Sequence, residues 1–405
     1  MQAVLIIIEA SLTCTFCNLL NLTTNHHYDI IICGAGCSGL SLVMHLLQSE
    51  KFDDKKILLV DKDSKNTNDR TWCFWENKPG LFEPVVYKEW KDLWFYAHDF
   101  LKNLQLGPYT YKLIRGLDFY NYCFSEIRKH ANIEFIQAPV NKPVTNEKEG
   151  HVVVNNQKYY ASFIFNSILF EKPVLQKNHY WLLQHFKGWV IETDAPQFDP
   201  SSATLMDFRT SQQNGTSFFY LLPFTKNKAL VEYTLFSKEL LDKEAYETAL
   251  KNYIEKDLLI TGYTIQEKEF GVIPMTNYPF PRYKNNIFNI GTAGGQTKAS
   301  SGYTFKFIQK QSAAIVKGLL EKNNPAVYLN EARRFCFYDS VLLQILNFNK
   351  MQGDEIFTLL FASNNASQIL KFLDNETSVK EEIPILKSLP TLLFLKAGIK
   401  EILER

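Results

Sequence analysis

The sequence predicts a mixed α/β chain in which a Rossmann-like dinucleotide-binding domain is interleaved with a second, sheet-rich domain. Three observations predict it. A complete strand–glycine loop–helix–strand unit begins at Tyr28, residues 170–237 are strand-rich, and a second strand enters a glycine-rich loop at Ile287–Gly295. A chain of 405 residues is long enough for one large or two ordinary domains with a real core. Its composition, 46% hydrophobic and 21% charged, is that of a globular protein and excludes a disordered one. A formal net charge of +1 leaves no basic excess for nucleic acid, so none is expected as a partner.

Residues 1–27 are mostly apolar, and the first Lys or Arg of the chain is Lys51. A secretory signal needs a positive n-region, and a spanning helix would have to bury Glu9 among Ser, Thr and Asn. The stretch is expected to lie outside the fold, as an appended segment or a start set too far upstream, with weak membrane contact as the second reading. Seven cysteines in a chain this long make no disulfide framework. Cys14 and Cys17 have CxxC spacing but no second pair, so reduced thiols and no metal site are expected.

The next element is the strongest. An apolar strand, Asp29 to Cys33, runs into Gly34-Ala35-Gly36-Cys37-Ser38-Gly39. An amphipathic helix with Leu40, Val43, Leu46 and Leu47 inward follows, and then a strand ending at Asp61. Gly34 allows the tight turn, Gly36 lets a pyrophosphate approach the backbone, and Gly39 lets the helix pack on the sheet. The helix N-terminus offers unpaired N–H groups to phosphate. Asp61, about 22 residues beyond Gly39, suits a ribose hydroxyl. A bound dinucleotide is expected.

A helix is predicted over 117–130 and a strand at Asn132–Gln137. A hairpin over 151–167 is expected to turn at Asn155-Asn156-Gln157. Helical pattern resumes over 238–258, and a long helix is predicted from about Gly302, opened by Ser300 and Ser301. From Glu331 the chain reads as helical, broken at Pro384 and Pro390. The expected division is a discontinuous nucleotide domain of residues 28–75, 110–170 and 271–325, a substrate domain of 76–109 and 171–270, and a helical region of 326–405. Gly291, Gly294 and Gly295, between strand and helix, suit a second anion-binding helix start. Arg70 is a candidate phosphate or carboxylate contact, with a surface or interface role as the plainer reading. Asp207 is a candidate acid whose plainer reading is a strand residue paired with Arg209.

Five stretches in order resemble the flavin-binding lycopene cyclases. They are Thr71-Trp72-Cys73-Phe74; the run from Gln184 to Arg209 with Gly188-Trp189, Phe198-Asp199-Pro200 and Met206-Asp207-Phe208; Tyr220 to Thr234; Gly271 to Met275; and Ile287 to Phe305. The resemblance covers most of the chain from Tyr28. It implies a Rossmann-like FAD-binding domain of the glutathione-reductase and hydroxybenzoate-hydroxylase type, with FAD active in its reduced form and NAD(P)H as the reductant. It also implies an acyclic carotenoid such as lycopene as substrate, a cytoplasmic location, peripheral contact with a membrane surface and association with other carotenoid enzymes. Leu389–Lys400 is the best amphipathic candidate for that membrane contact, with a buried domain-packing helix as the plainer reading.

The acid implied by the resemblance is Glu232, which stands in the apolar strand KALVEYTLFS. Alternation puts Leu230, Glu232 and Thr234 on one face and Val231, Tyr233 and Leu235 on the other. Ring closure of a polyene end adds a proton to a double bond and later removes one, with no net redox change. Such chemistry needs a protonated acid in a dry site, and desolvation of a carboxyl favours its neutral form. The resembled motif carries a second acid after the first, and here that position is Tyr233. The competing enzyme class is a flavin monooxygenase or halogenase, but Thr292 stands where such enzymes place Asp, and no Asp-Gly dipeptide occurs in the chain. A non-catalytic carotenoid- or flavin-binding protein is the third class, and loss of ring formation on replacing Glu232 would separate it.

Overall fold

The computed structural model describes residues 26–146, 149–329 and 333–404. The expectations for residues 1–25, including Cys14 and Cys17, lie outside the described residues. His26–Cys33 is the centre of an eight-stranded sheet and pairs in parallel with Ile57–Asp61 on one side and Gln157–Asn166 on the other. Ile133–Gln137 and Ile287–Asn289 extend the parallel array outward. A strand buried on both faces must be apolar throughout, which is why Ile30 to Cys33 and Ile57 to Val60 are unbroken hydrophobic runs.

Two helices, Cys37–Gln48 and Phe305–Lys322, pack side by side, with Gln309 Nε2 donating to Ser41 Oγ at 2.9 Å. Each follows a glycine loop at the carboxyl end of a parallel strand, where open α/β sheets bind ligands. The hairpin turns at Asn155 and Asn156, both at positive φ, between Gly150–Val154 and Gln157–Asn166. Two such residues are what a tight two-residue hairpin requires.

The second sheet has seven strands. In spatial order they are Tyr263–Thr276, Trp181–Thr193, Lys228–Ser237, Thr216–Pro223, Ser202–Asp207, Asp92–Ala97 and Phe100–Gln105. One face is covered by the helix Lys243–Asn252 and the following turn, through Tyr246, Leu250, Tyr253 and Ile254. The C-terminal helices cover part of the rest, Phe361 packing at a tilt against Phe95 and Phe357 stacking on Phe208. A three-stranded sheet of Thr71–Glu76, Thr110–Arg115 and Lys88–Trp90 adjoins both.

Three expectations change. The boundary expected at 270/271 falls inside one continuous strand, because Tyr263–Thr276 pairs with Trp181–Thr193 along nearly its whole length. The long helix starts at Phe305 rather than near Gly302. Gly302 takes φ +72, and its N–H donates to the Lys298 carbonyl, closing a turn ahead of the helix. Pro384 does not break the chain but sits inside Val379–Lys387. It costs the bond to the Lys380 carbonyl, which is on the exposed side and open to water; the break comes at Pro390, ahead of Thr391–Leu403.

Candidate active site

The site is organised by one row across four strands. Register puts Tyr220, Glu232, Gly188 and Glu269 side by side on Thr216–Pro223, Lys228–Ser237, Trp181–Thr193 and Tyr263–Thr276. Leu230 and Glu232 line a cavity of about 450 Å³, while Val231 and Tyr233 pack on the opposite face with Tyr246. The same cavity reaches Gly36, Arg70, Gly291 and Thr292. Glu232, drawn from the second sheet, therefore shares one space with both glycine loops of the first.

Glu232 Oε1 accepts a hydrogen bond from Thr234 Oγ1 at 2.8 Å. Burial, reinforced by the charge of Glu269, pushes its carboxyl well above the usual carboxylate range. Glu269 is also raised by burial, and its Oε2 accepts from Thr71 Oγ1 at 2.7 Å. Three tyrosines stand near Glu232. Tyr111 and Tyr303 hydroxyls are 3.2 Å apart, Tyr220 is hydrogen-bonded to Tyr303, and the phenol pKa values of all three are raised by burial. The wall beside the acid is therefore aromatic and neutral.

The first glycine loop has the geometry its sequence implies. Gly34 takes φ +99. A Cβ on Gly39 would lie 1.9 Å from the Gly34 carbonyl oxygen, so the helix sits directly on the loop. A Cβ on Gly36 would meet nothing within 4 Å, which leaves open space at the helix N-terminus. Ser38 and Ser301 both line the cavity, and each has a buried hydroxyl with no partner among the described residues.

Asp61 is buried at its strand end, but both its oxygens are engaged. Oδ2 accepts from Ala35 N at 2.6 Å and lies 3.2 Å from Lys65 Nζ, and Oδ1 accepts from Asp63 N at 2.8 Å. Its main task here is to brace the glycine loop. Arg70, half-exposed, donates from Nη1 to the Asp69 carbonyl at 2.7 Å and keeps its outer face toward the cavity.

In the second loop Gly291 takes φ +57 against Ser38, and its N–H donates to Gln311 Oε1 at 3.1 Å. Gly294 and Gly295 lie elsewhere, lining a separate cavity of about 760 Å³. Only Gly291 of the three reaches the site.

Asp207 is not brought to the cavity. Arg209 grips it from Nε at 2.9 Å and Nη2 at 2.6 Å, and Tyr253 donates to Oδ2 at 2.8 Å. It pairs in register with Phe219, whose ring stacks on Tyr253 and Tyr233, on the face turned away from Glu232. The arrangement is a structural ion pair. Trp72 lines the cavity, whereas Trp75 donates to the Leu370 carbonyl in the core and Trp189 packs in the cluster of Val231 and Tyr233.

Sequence reasoning missed Glu269. Its signal was present in the alternation of EKEFGVIPM, where Glu267, Glu269 and Gly271 share a face, but only the strand register brings that face to Glu232.

The family model described as lycopene cyclase protein matches residues 29–397. The chain belongs to the lycopene cyclase family. Among curated relatives it is 37% identical over 259 residues to a lycopene beta-cyclase of Paracoccus sp. (strain N81106 / MBIC 01143), covering 61% of each chain. It is 26% identical over 263 residues to the lycopene beta-cyclase of Pantoea ananas, covering 62% of this chain and 63% of that protein. A chloroplastic neoxanthin synthase of Solanum tuberosum is 27% identical over 325 residues, 72% of this chain and 61% of that one. The chain thus spans about three fifths of the length of the curated relatives it matches.

Solved structures share the fold at low identity. A flavoprotein/dehydrogenase from Cytophaga hutchinsonii aligns with a TM-score of 0.64 at 10% identity, over 94% of this chain and 100% of that one. A geranylgeranyl bacteriochlorophyll reductase-like protein from Thermoplasma acidophilum aligns with a TM-score of 0.59 at 11% identity, over 92% and 98%. This member of the family therefore has the Rossmann-like FAD-binding fold expected of it.

Proposed function

We propose that the protein is a lycopene beta-cyclase, a non-redox isomerase that closes the acyclic end groups of lycopene to β-rings, giving β-carotene by way of γ-carotene. The observation that carries this reading is the position of Glu232, a half-buried acid with raised proton affinity that opens into the same cavity as the glycine loops. The relatives named as lycopene beta-cyclases support the substrate class.

The cofactor reading rests on the cradle. Gly36 leaves open space at a helix N-terminus, and the unpartnered hydroxyls of Ser38 and Ser301 lack only an acceptor, so the residues fit an anionic dinucleotide. FAD would be held by the Gly34–Gly39 loop, Ser38, Arg70 and Gly291, with Asp61 bracing the loop. When bound in its reduced form, maintained by NAD(P)H, it would supply an electron-rich surface that favours nearby positive charge.

The chain's own residues move the proton. Glu232 gives its proton to a terminal carbon–carbon double bond, whose electron pair forms the new C–H bond and leaves a tertiary cation. The next double bond supplies the electron pair of the ring-closing C–C bond. A ring C–H proton then returns to a carboxylate, so atoms and electrons balance without oxidant or reductant. Tyr111, Tyr220 and Tyr303 offer aromatic faces that favour the cation, and Phe186 and Leu230 help to exclude the water that would trap it.

A hydrocarbon substrate points to a membrane surface. No helix among the described residues is long and apolar enough to cross a bilayer. The helix Thr391–Leu403 exposes Leu392, Leu395, Ile399 and Ile402 while burying Ala397, Gly398 and Glu401, which suits an interfacial contact. Expression in a lycopene-accumulating host tests the reading. β-Carotene with some γ-carotene is expected, and unchanged lycopene or an oxygenated or halogenated product would refute it.

A further inference from the structure

The family motif's second acid is missing here, Tyr233 standing in its place on the far face of the sheet. The fold supplies an acid from another strand instead. Glu232 and Glu269 flank Gly188 in register, one strand to either side, so their Cα atoms are about 10 Å apart. Two glutamates at that separation can meet only by leaning over the strand between them. Gly188 has no side chain to prevent it, and a Cβ there would lie 2.8 Å from Glu269 Cγ and 2.9 Å from its Oε1.

The hydrogen-bond accounting gives the same pairing independently. Glu269 Oε2 is taken up by Thr71 Oγ1 and Glu232 Oε1 by Thr234 Oγ1. Glu269 Oε1 is buried, and no hydroxyl, amide or cation among the described residues donates to it. The neighbour within hydrogen-bonding reach is the Glu232 carboxyl, which can donate only if it carries a proton.

We propose that Glu232 and Glu269 share one proton across Gly188, with Glu232 facing the cavity and Glu269 acting as the positioning residue that keeps it protonated. The proposal rests on the cyclase reading for its use, but the pair itself is a property of the protein alone. The charged and titratable groups facing it are Arg70 and Cys73 beside Thr71, Tyr111 and Arg115 on the adjoining strand, Tyr220, Tyr303 and Glu267. Arg115 is committed to Asp118; burial raises Glu269, and the charge of Arg70 works against that rise, favouring the ionised form of Glu269.

The pair also deals with an energetic difficulty. An acid that holds its proton tightly is a poor donor to a double bond. After transfer, however, two carboxylates face the new cation in a site of low dielectric, and their attraction offsets the lost proton affinity. The ring C–H proton then returns to the pair, restoring the starting state with one proton and one negative charge.

The test uses the purified full chain with Glu269→Gln. Infrared spectra across pH should show a protonated carboxyl persisting well above the usual carboxylate range in the wild type and titrating at least one pH unit lower in the variant. In ring-formation assays the alkaline limb of the rate profile should move down by a similar amount. Gly188→Ala, which displaces Glu269 without removing it, should shift both in the same direction and stands in if Glu269→Gln does not fold. An unshifted titration, or a uniform loss of rate with an unchanged pH profile, overturns the pair. A shifted infrared titration with no ring formation by the wild type or either variant upholds the pair and overturns the cyclase reading.

Discussion

Replacing Gly36 or Gly39 by alanine separates folding from cofactor binding within a single loop. At Gly39 the added Cβ would lie 1.9 Å from the Gly34 carbonyl oxygen, whereas ordinary C···O contacts fall at about 3.3 Å or more. The obstacle is backbone, so the helix Cys37–Gln48 must lift from the sheet by roughly 1.4 Å. Overpacking of that kind costs about 1–3 kcal/mol, offset by about 1 kcal/mol of helix propensity. Gly39→Ala should therefore lower apoprotein stability by up to about 2 kcal/mol. At Gly36 the new methyl meets nothing within 4 Å, and φ of −81 suits any residue. Gly36→Ala should leave apoprotein stability within about 0.5 kcal/mol of wild type. The methyl instead occupies the approach to the helix N-terminus, and FAD affinity should fall at least tenfold, about 1.4 kcal/mol. Denaturant unfolding of the apoprotein and fluorescence titration with FAD read the two effects separately. Wild-type FAD affinity in Gly36→Ala would refute the placement of the dinucleotide.

Two further outcomes follow from the same geometry. Asp207→Asn leaves Arg209 and Tyr253 without their carboxylate and should destabilise the fold by about 1–3 kcal/mol in chemical unfolding, while ring formation per folded molecule stays near wild type; a selective loss of turnover would restore Asp207 to the catalytic machinery. Replacing Leu395 and Ile399 together by Glu should release the protein from lipid vesicles in flotation assays without changing its melting temperature, because both side chains are exposed; unchanged flotation would place the membrane contact elsewhere.

Local patterns make much of this molecule legible in its sequence. The glycine spacing at Gly34, Gly36 and Gly39 specifies a turn, an approach and a packing contact, all set within a few residues. The facing of Glu232 follows from two-residue alternation in its own strand. What stayed hidden depends on pairing between distant segments. Glu269 lies 37 residues beyond Glu232, and nothing local says that Gly188 will lie between them. Asp207 shows the converse error. Its partner Arg209 was visible two residues away, but which face of the sheet it would occupy was not, since that is set by Phe219 and Tyr253. Gly294 and Gly295 were grouped with Gly291 by spacing alone, and the tight turn sends them to another cavity.

The central claim is that Glu232 delivers the proton. Glu232→Gln keeps the side chain's shape and its bond to Thr234 while removing the acid, so the variant should fold and retain FAD. Expressed in a lycopene-accumulating host beside the wild type, it should leave lycopene uncyclised. Wild-type yields of β-carotene from folded, flavin-loaded Glu232→Gln would contradict the account.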